Sequence, residues 1–178
     1  HDLIPPYKYC MNNCYKVKAM ARYKKPTKFT PKYPAKYIGK INEITMRSSW
    51  ERKFANWCDT NPSVVKWNSE GVPIQYYHSV DRKTRRYFVD FLVMLVTKDG
   101  EVKRLIVEVK PYVQTIPPKP PKANTDKAIK NYVDACHTYQ QNLDKWNAAR
   151  QWAKKHDWEF IIMTEYELGI AKGEKPTS

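Results

Sequence analysis

Residues Arg86–Pro111 read RYFVDFLVMLVTKDGEVKRLIVEVKP. Two apolar, β-rich runs flank a Lys-Asp-Gly turn, the pattern of a hairpin. Alternation puts Phe88, Asp90, Leu92, Met94 and Val96 on one face of the first strand. On the second, Ile106, Glu108 and Lys110 share a face opposite Leu105, Val107 and Val109. The turn sets which residues meet. A two-residue loop, Asp99-Gly100, would place Asp90 across from Val109. A three-residue loop, Lys98-Asp99-Gly100, places it across from Glu108. The common three-residue hairpin is a type I turn closed by a glycine in the left-handed region, where Gly100 stands. Turn chemistry permits the second register, and the apolar stripe favours it.

Directly opposed residues hold their Cβ atoms about 5 Å apart, and like charges there destabilise a sheet. Two carboxylates among Ile, Leu and Val would cost several kcal/mol unless neutralised. A divalent cation, Mg²⁺ or Mn²⁺, resolves this with oxygen ligands. Lys110 on the same face would orient or deprotonate a water, or stabilise developing charge. The plain alternative is a structural salt bridge from Lys110 to Asp90 or Glu108.

The 178 residues suit one domain, and 32 Lys and Arg against 18 acids give a net charge of +14. That excess favours a polyanionic partner, although ribosomal, capsid-interior and membrane-surface proteins share it. No run of some 18 apolar residues and no signal segment occurs, so a soluble, intracellular protein is expected. His1, not methionine, comes first and need not be the translated start. Cys10 and Cys14 lack a second Cys/His pair for a tetrahedral site, while Cys58 and Cys136 read as buried thiols.

Residues 1–40 form a basic, Tyr- and Pro-rich extended arm, in which Lys24 and Lys25 are candidate DNA contacts. A nuclease-fold domain is expected over 41–170 and a disordered tail over 171–178. A helix over about Ser48–Cys58 buries Trp50, Phe54 and Trp57, with Ser48-x-x-Glu51 as a capping box that accounts structurally for Glu51. Short extended pieces follow at Val64–Trp67 and Val72–Tyr77, then a polar turn over Ser79–Thr84. Pro117–Lys122 is a stiff connector. A long helix over about Thr125–Lys155 carries the stripe Ile129, Tyr132, Cys136, Tyr139, Leu143 and Trp146, and Phe160–Met163 is a parallel strand. The order is that of an α/β sandwich.

Asp90 followed by Glu108-Val109-Lys110 resembles the Asp…Glu-x-Lys signature of the restriction-endonuclease-like nucleases. The element order resembles their αβββαβ core, with a mixed sheet flanked by helices. SSWERKFANWCDTNPSVVKWNSE (48–70), RRYFVDF (85–91), VEVKP (107–111), NLDKWNAA (142–149) and FIIMTEYELG (160–169) are similar to the head-completion nucleases of contractile-tailed phages. That family is itself similar to the endonuclease subunit of heteromeric transposases. The likeness runs from about Met20 to Gly169. It implies metal-binding acids at Glu51, Asp90 and Glu108 and a catalytic lysine at Lys110. Arg85 and Arg86 would touch phosphates near the scissile bond, or serve as solvated strand ends. Glu70 and Glu165 stay outside the core site. Asn142 and Lys145 are candidates for lining a groove. His78, His137 and His156 carry no mark of catalysis.

The resemblance further implies an endo- or exonuclease acting on packaged double-stranded DNA before head–tail joining. Its expected place is the host cytoplasm during assembly, with retention in the virion neck or head left open. Portal, neck or other head-completion proteins are the expected protein partners, and no membrane is involved. The alternative is a non-catalytic structural virion or DNA-binding protein of the head–tail connector.

Overall fold

The computed structural model describes residues 25–171 and 175–176; Lys24, Cys10 and Cys14 lie outside them. The elements are β1 (Thr27–Lys28), β2 (Thr45–Met46), α1 (Ser49–Thr60), β3 (Val64–Ser69), β4 (Pro73–His78), β5 (Lys83–Phe88), β6 (Phe91–Val96), β7 (Val102–Val109), α2 (Asp126–His156) and β8 (Glu159–Met163). The central sheet runs β3-β6-β7-β8, antiparallel except for the parallel β7–β8 pair that α2 connects. Helix, three sheet strands, helix, strand is the αβββαβ order of the restriction-endonuclease-like fold. The β4–β5 hairpin is inserted between its first and second strands.

The register of the central hairpin is the three-residue one. Val96 pairs Val102 and Phe91 pairs Val107. Thr97 and Glu101 close the turn, and Gly100 stands at φ 83°. The first strand, however, is not continuous. It breaks after Phe88 and restarts at Phe91, so β5 and β6 lie in different sheets. Val89 and Asp90 form the corner, and the Glu70 N–H donates to the Asp90 carbonyl at 3.1 Å.

The two faces of the sheet have separate cores. One gathers Trp67, Phe91, Val93, Val107 and Val109 around Phe54, Ala55 and Cys58 of α1. The other packs Ile106, Tyr87 and Val89 against Ala149 and Ala153 of α2. Each buried aliphatic or aromatic side chain contributes roughly 1.5–3 kcal/mol. Helix α1 turns its stripe away from the expected one, because Ala55 and Cys58 let it approach the sheet closely. Trp57 is left 42% exposed, stacked on Phe54 at 5.5 Å. Helix α2 lies on the sheet through its second half only, and Ile129 is exposed.

Residues 25–40 are mostly extended, with a 3₁₀ turn at Pro34–Lys36, and they pack on the domain. β1 pairs β2, and Phe29 enters the core beside Trp67. The N–H groups of Lys32 and Tyr33 donate to the buried Asp59 carboxylate. Burial of Phe29 and part of Tyr37 anchors this stretch while most of its lysines stay in water. In the expected tail, Lys175 pairs with Glu167 at 2.9 Å and the Tyr112 hydroxyl donates to Pro176, so these two positions are tied down. Cys58 and Cys136 are buried free thiols, as read.

Candidate active site

At one end of the α2-facing side, the sheet turns polar. Asp90 comes from the β5–β6 corner, Glu108 and Lys110 from the end of β7, and Glu70 from the residue after β3. Helix α1 adds Glu51 from its first turn and α2 adds Lys145. With Arg47 and Arg86 they line a cleft of about 350 Å³.

Each side chain is held by local structure. The Asp90 carboxylate accepts the Val109 N–H at 2.8 Å, so it stands in for the main-chain partner that β7 loses at the corner. Lys110 N–H donates to the Met163 carbonyl at 3.0 Å, which extends the β7–β8 ladder past Glu108. The Lys110 ammonium donates to Glu108 Oε1 at 3.0 Å. Ser48 caps α1 by accepting the Glu51 N–H at 3.1 Å. The Glu51 carboxylate in turn accepts from the Ser48 hydroxyl and from the Arg47 N–H. This is a capping box displaced by one residue. Glu70 sits at φ 52° and pairs with Arg47 at 2.8 Å. A non-glycine residue at such a φ costs on the order of 1–3 kcal/mol and marks a place where surroundings impose the backbone.

The electrostatics follow from burial. Glu108 is 2% exposed. Burial first, and the Asp90 charge second, push its carboxyl up to about 7, against the opposing pull of Lys110. For Lys110 burial lowers the ammonium, but Glu108 and Asp90 outweigh it and the net shift is upward. It is therefore a fixed positive charge at neutral pH. Glu51 is raised, mainly by burial, against the Arg47 N–H that it accepts. Lys145 is lowered by burial and by Lys110, with Glu108 and Asp90 opposing; its ammonium stands over the Tyr76 and Tyr87 rings.

The structure thus brings Asp90, Glu108, Lys110, Glu51 and Arg86 of the expected residues into one cleft. It does not bring Arg85, whose guanidinium pairs with Asp81. Lys25 is exposed and does not line the cleft. Glu165 accepts the Tyr112 N–H, and Asn142 is buried away from the cleft. His78 accepts the Asp81 N–H and His156 stacks on Trp152, neither lining the cleft. Arg47 escaped the sequence reading, and Glu70 and Lys145 were not assigned to the core site. Only Lys145 carried a usable signal, a cation one turn after the buried Asn142 on α2.

The donor set suits a small divalent cation. Among the described residues no three Asp, Glu, His or Cys side chains form a ready-made cage. Mg²⁺, however, is commonly held by only one or two carboxylates and keeps its waters. Glu108 Oε2 is buried without any hydrogen-bond partner, beside a second acid. A bare carboxylate oxygen of this kind costs on the order of 1–3 kcal/mol or more, and a cation would relieve it. Glu51 is less free, since both its oxygens serve the helix cap.

Residues 61–165 match the model of the TnsA-like endonuclease N-terminal family. That span holds Glu70, Asp90, Glu108, Lys110 and Lys145; Arg47 and Glu51 precede it. The chain is 38% identical over 138 residues to the head completion nuclease of Enterobacteria phage T4, covering 78% of this chain and 89% of that protein. No solved structure gave a significant match.

Proposed function

This chain belongs to the TnsA-like endonuclease family, and we propose that its cleft hydrolyses phosphodiester bonds of double-stranded DNA with Mg²⁺ or Mn²⁺. The unpartnered, buried Glu108 Oε2 beside Asp90 is the observation that carries this reading. Asp90 and Glu108 would hold the cation, with Glu51 an outer neighbour whose charge adds to theirs. Bound there, such a cation would polarise a phosphate oxygen and lower the pKa of a water.

The protein's own groups supply the rest. Lys110 serves as a positive charge for the oxygen that gains electrons, or orients or deprotonates the attacking water. Arg86 and Arg47 at the rim and Lys145 inside attract the phosphate and orient it. None of these groups is set to read base edges, so cleavage is weakly sequence-specific and binding weakens as salt rises.

The T4 relative's name places that protein in head completion. By that likeness the substrate here is packaged phage DNA, cut or trimmed in the host cytoplasm before the tail joins, beside portal or neck proteins. Among the described residues no helix is long and apolar enough to cross a membrane.

The test is cleavage of supercoiled and linear plasmid DNA with Mg²⁺, with and without EDTA. Lys110→Ala should lower the rate roughly 10²–10⁴-fold while leaving the circular-dichroism spectrum unchanged. A Lys110→Ala protein that cuts at the wild-type rate would show the site to be misassigned. Wild-type protein that retards DNA in a gel but never cuts it, with Mg²⁺ or Mn²⁺, would favour a non-catalytic DNA-binding role.

A further inference from the structure

The β4–β5 hairpin has two unlike faces. Its inner face buries Ile74, Tyr76 and Tyr87 against α2. The register Pro73–Phe88, Gln75–Arg86 and Tyr77–Thr84 puts those six residues on the outer face. Tyr77 is 58% exposed there and Phe88 46% exposed. Tyr77 lies across from Thr84, so the two rings are four residues apart along β5, roughly 13 Å at 3.3 Å per residue. Arg86 stands midway between them. Among the described residues no ion pair or hydrogen bond engages the Arg86 side chain, in contrast to Arg85 on Asp81. Arg86 and Phe88 also line the cleft, so this face runs into it without a gap.

Cations alone would suit duplex phosphates. Exposed rings gain little from phosphates, because a duplex keeps its base faces stacked inside; an unpaired strand offers a π-face at every base. We propose that the outer face of β4–β5 is a track for an unpaired DNA strand. Tyr77 and Phe88 stack bases, and Arg86 takes a phosphate between them and delivers the strand to the cleft. The inference rests on the nuclease reading and names the strand state that the site receives: a frayed, nicked or single-stranded segment.

The test is binding of the full chain in EDTA, where no cleavage is required. A labelled single-stranded oligonucleotide and its blunt duplex are titrated by fluorescence anisotropy. Tyr77→Ala and Phe88→Ala should each weaken single-strand binding by about tenfold and duplex binding by less than about twofold. Phe88→Tyr should restore wild-type affinity, since its ring still stacks. Arg86→Ala should weaken both ligands and lower the salt slope by about one. Thermal melts of the same variants control for folding.

Two alanine variants that bind the single strand like wild type would overturn the proposal. Equal losses on strand and duplex would also overturn it. So would unchanged DNA binding with altered sedimentation, because the face would then belong to a second copy of the chain. If wild type never cleaves with Mg²⁺ yet the strand preference holds, the nuclease reading fails and the track stands.

Discussion

The two faces of β7 differ sharply in what surrounds them. Val107 and Val109 point to the α1 side and are buried among Trp67, Phe91 and Phe54. Ile106, Glu108 and Lys110 point the other way, where the first meets α2 and the next two line the cleft. Strand alternation alone separates them. On the α1 side the buried neighbours of Val107 and Val109 are apolar. The charged residues Glu108 and Lys110 stand on the other face, where burial is costly, and Glu108 is the more buried of the two. A single strand can thus anchor a core and strain a carboxylate without either task disturbing the other.

Substitution at Glu108 should separate the faces most sharply. Glu108→Gln is expected to lower cleavage on the order of 10³-fold, as loss of a cation ligand should. The same variant should be more stable than wild type above neutral pH. The carboxyl rises from an ordinary 4.5 to about 7, so its protonated form stabilises the fold below pH 4.5. That contribution is lost as pH rises through 7, at a cost on the order of 3 kcal/mol. Metal-free urea melts at pH 5 and pH 8 check it: wild type should lose stability between them, and Glu108→Gln should not. A wild-type protein equally stable at both would mean that Glu108 is better solvated than its burial implies.

On the opposite face, Phe91→Ala should remove roughly 3–5 kcal/mol of stability. The surviving folded fraction should cleave at the wild-type rate per molecule, because Phe91 touches Phe54 and Trp67 and not the cleft. Active-site titration beside the melt would check this, and a loss of specific activity in the folded fraction would join the two faces after all. The smallest effect is expected at the helix cap. Ser48→Ala should cost about 1 kcal/mol, and it should also free a Glu51 oxygen that Ser48 now engages. A gain in Mg²⁺ affinity in that variant, read by calorimetry, would show that the cap restrains Glu51 from the cation.

The hairpin register was legible because it depends on local chemistry: Gly100 can adopt the left-handed conformation, and that fixes a three-residue loop. The strand break at Val89–Asp90 was not legible. From Arg86 to Val96 the residues alternate as one strand would, and nothing in that run shows that β5 leaves the sheet to pair with β4. The signal lay elsewhere, in Pro73–His78, whose alternate residues are buried and exposed in register with β5. The cleft was half legible. Glu108 and Lys110 share a face by strand alternation, and Asp90 stands beside them from the β5–β6 corner. Arg47, Glu70 and Lys145 reach the cleft from three other elements, and only the packing of α1 and α2 on the sheet brings them in. Counting the lysines of the basic arm hid Phe29, which joins Ile44 and Met46 of the following segment in the core.

The bond from the Val109 N–H to Asp90 Oδ2 gives this acid two duties, one per oxygen. One oxygen completes the scaffold, and on the proposed reading the other holds the cation. Alanine at this position would remove both at once, so an inactive Asp90→Ala protein would not tell a lost ligand from a loosened strand end. Asparagine divides the duties. Its carbonyl oxygen can still accept the Val109 N–H while its charge is gone. At this corner the Val109 N–H calls for a side-chain acceptor that Asp and Asn both present, and the proposed cation would tell the two apart by charge.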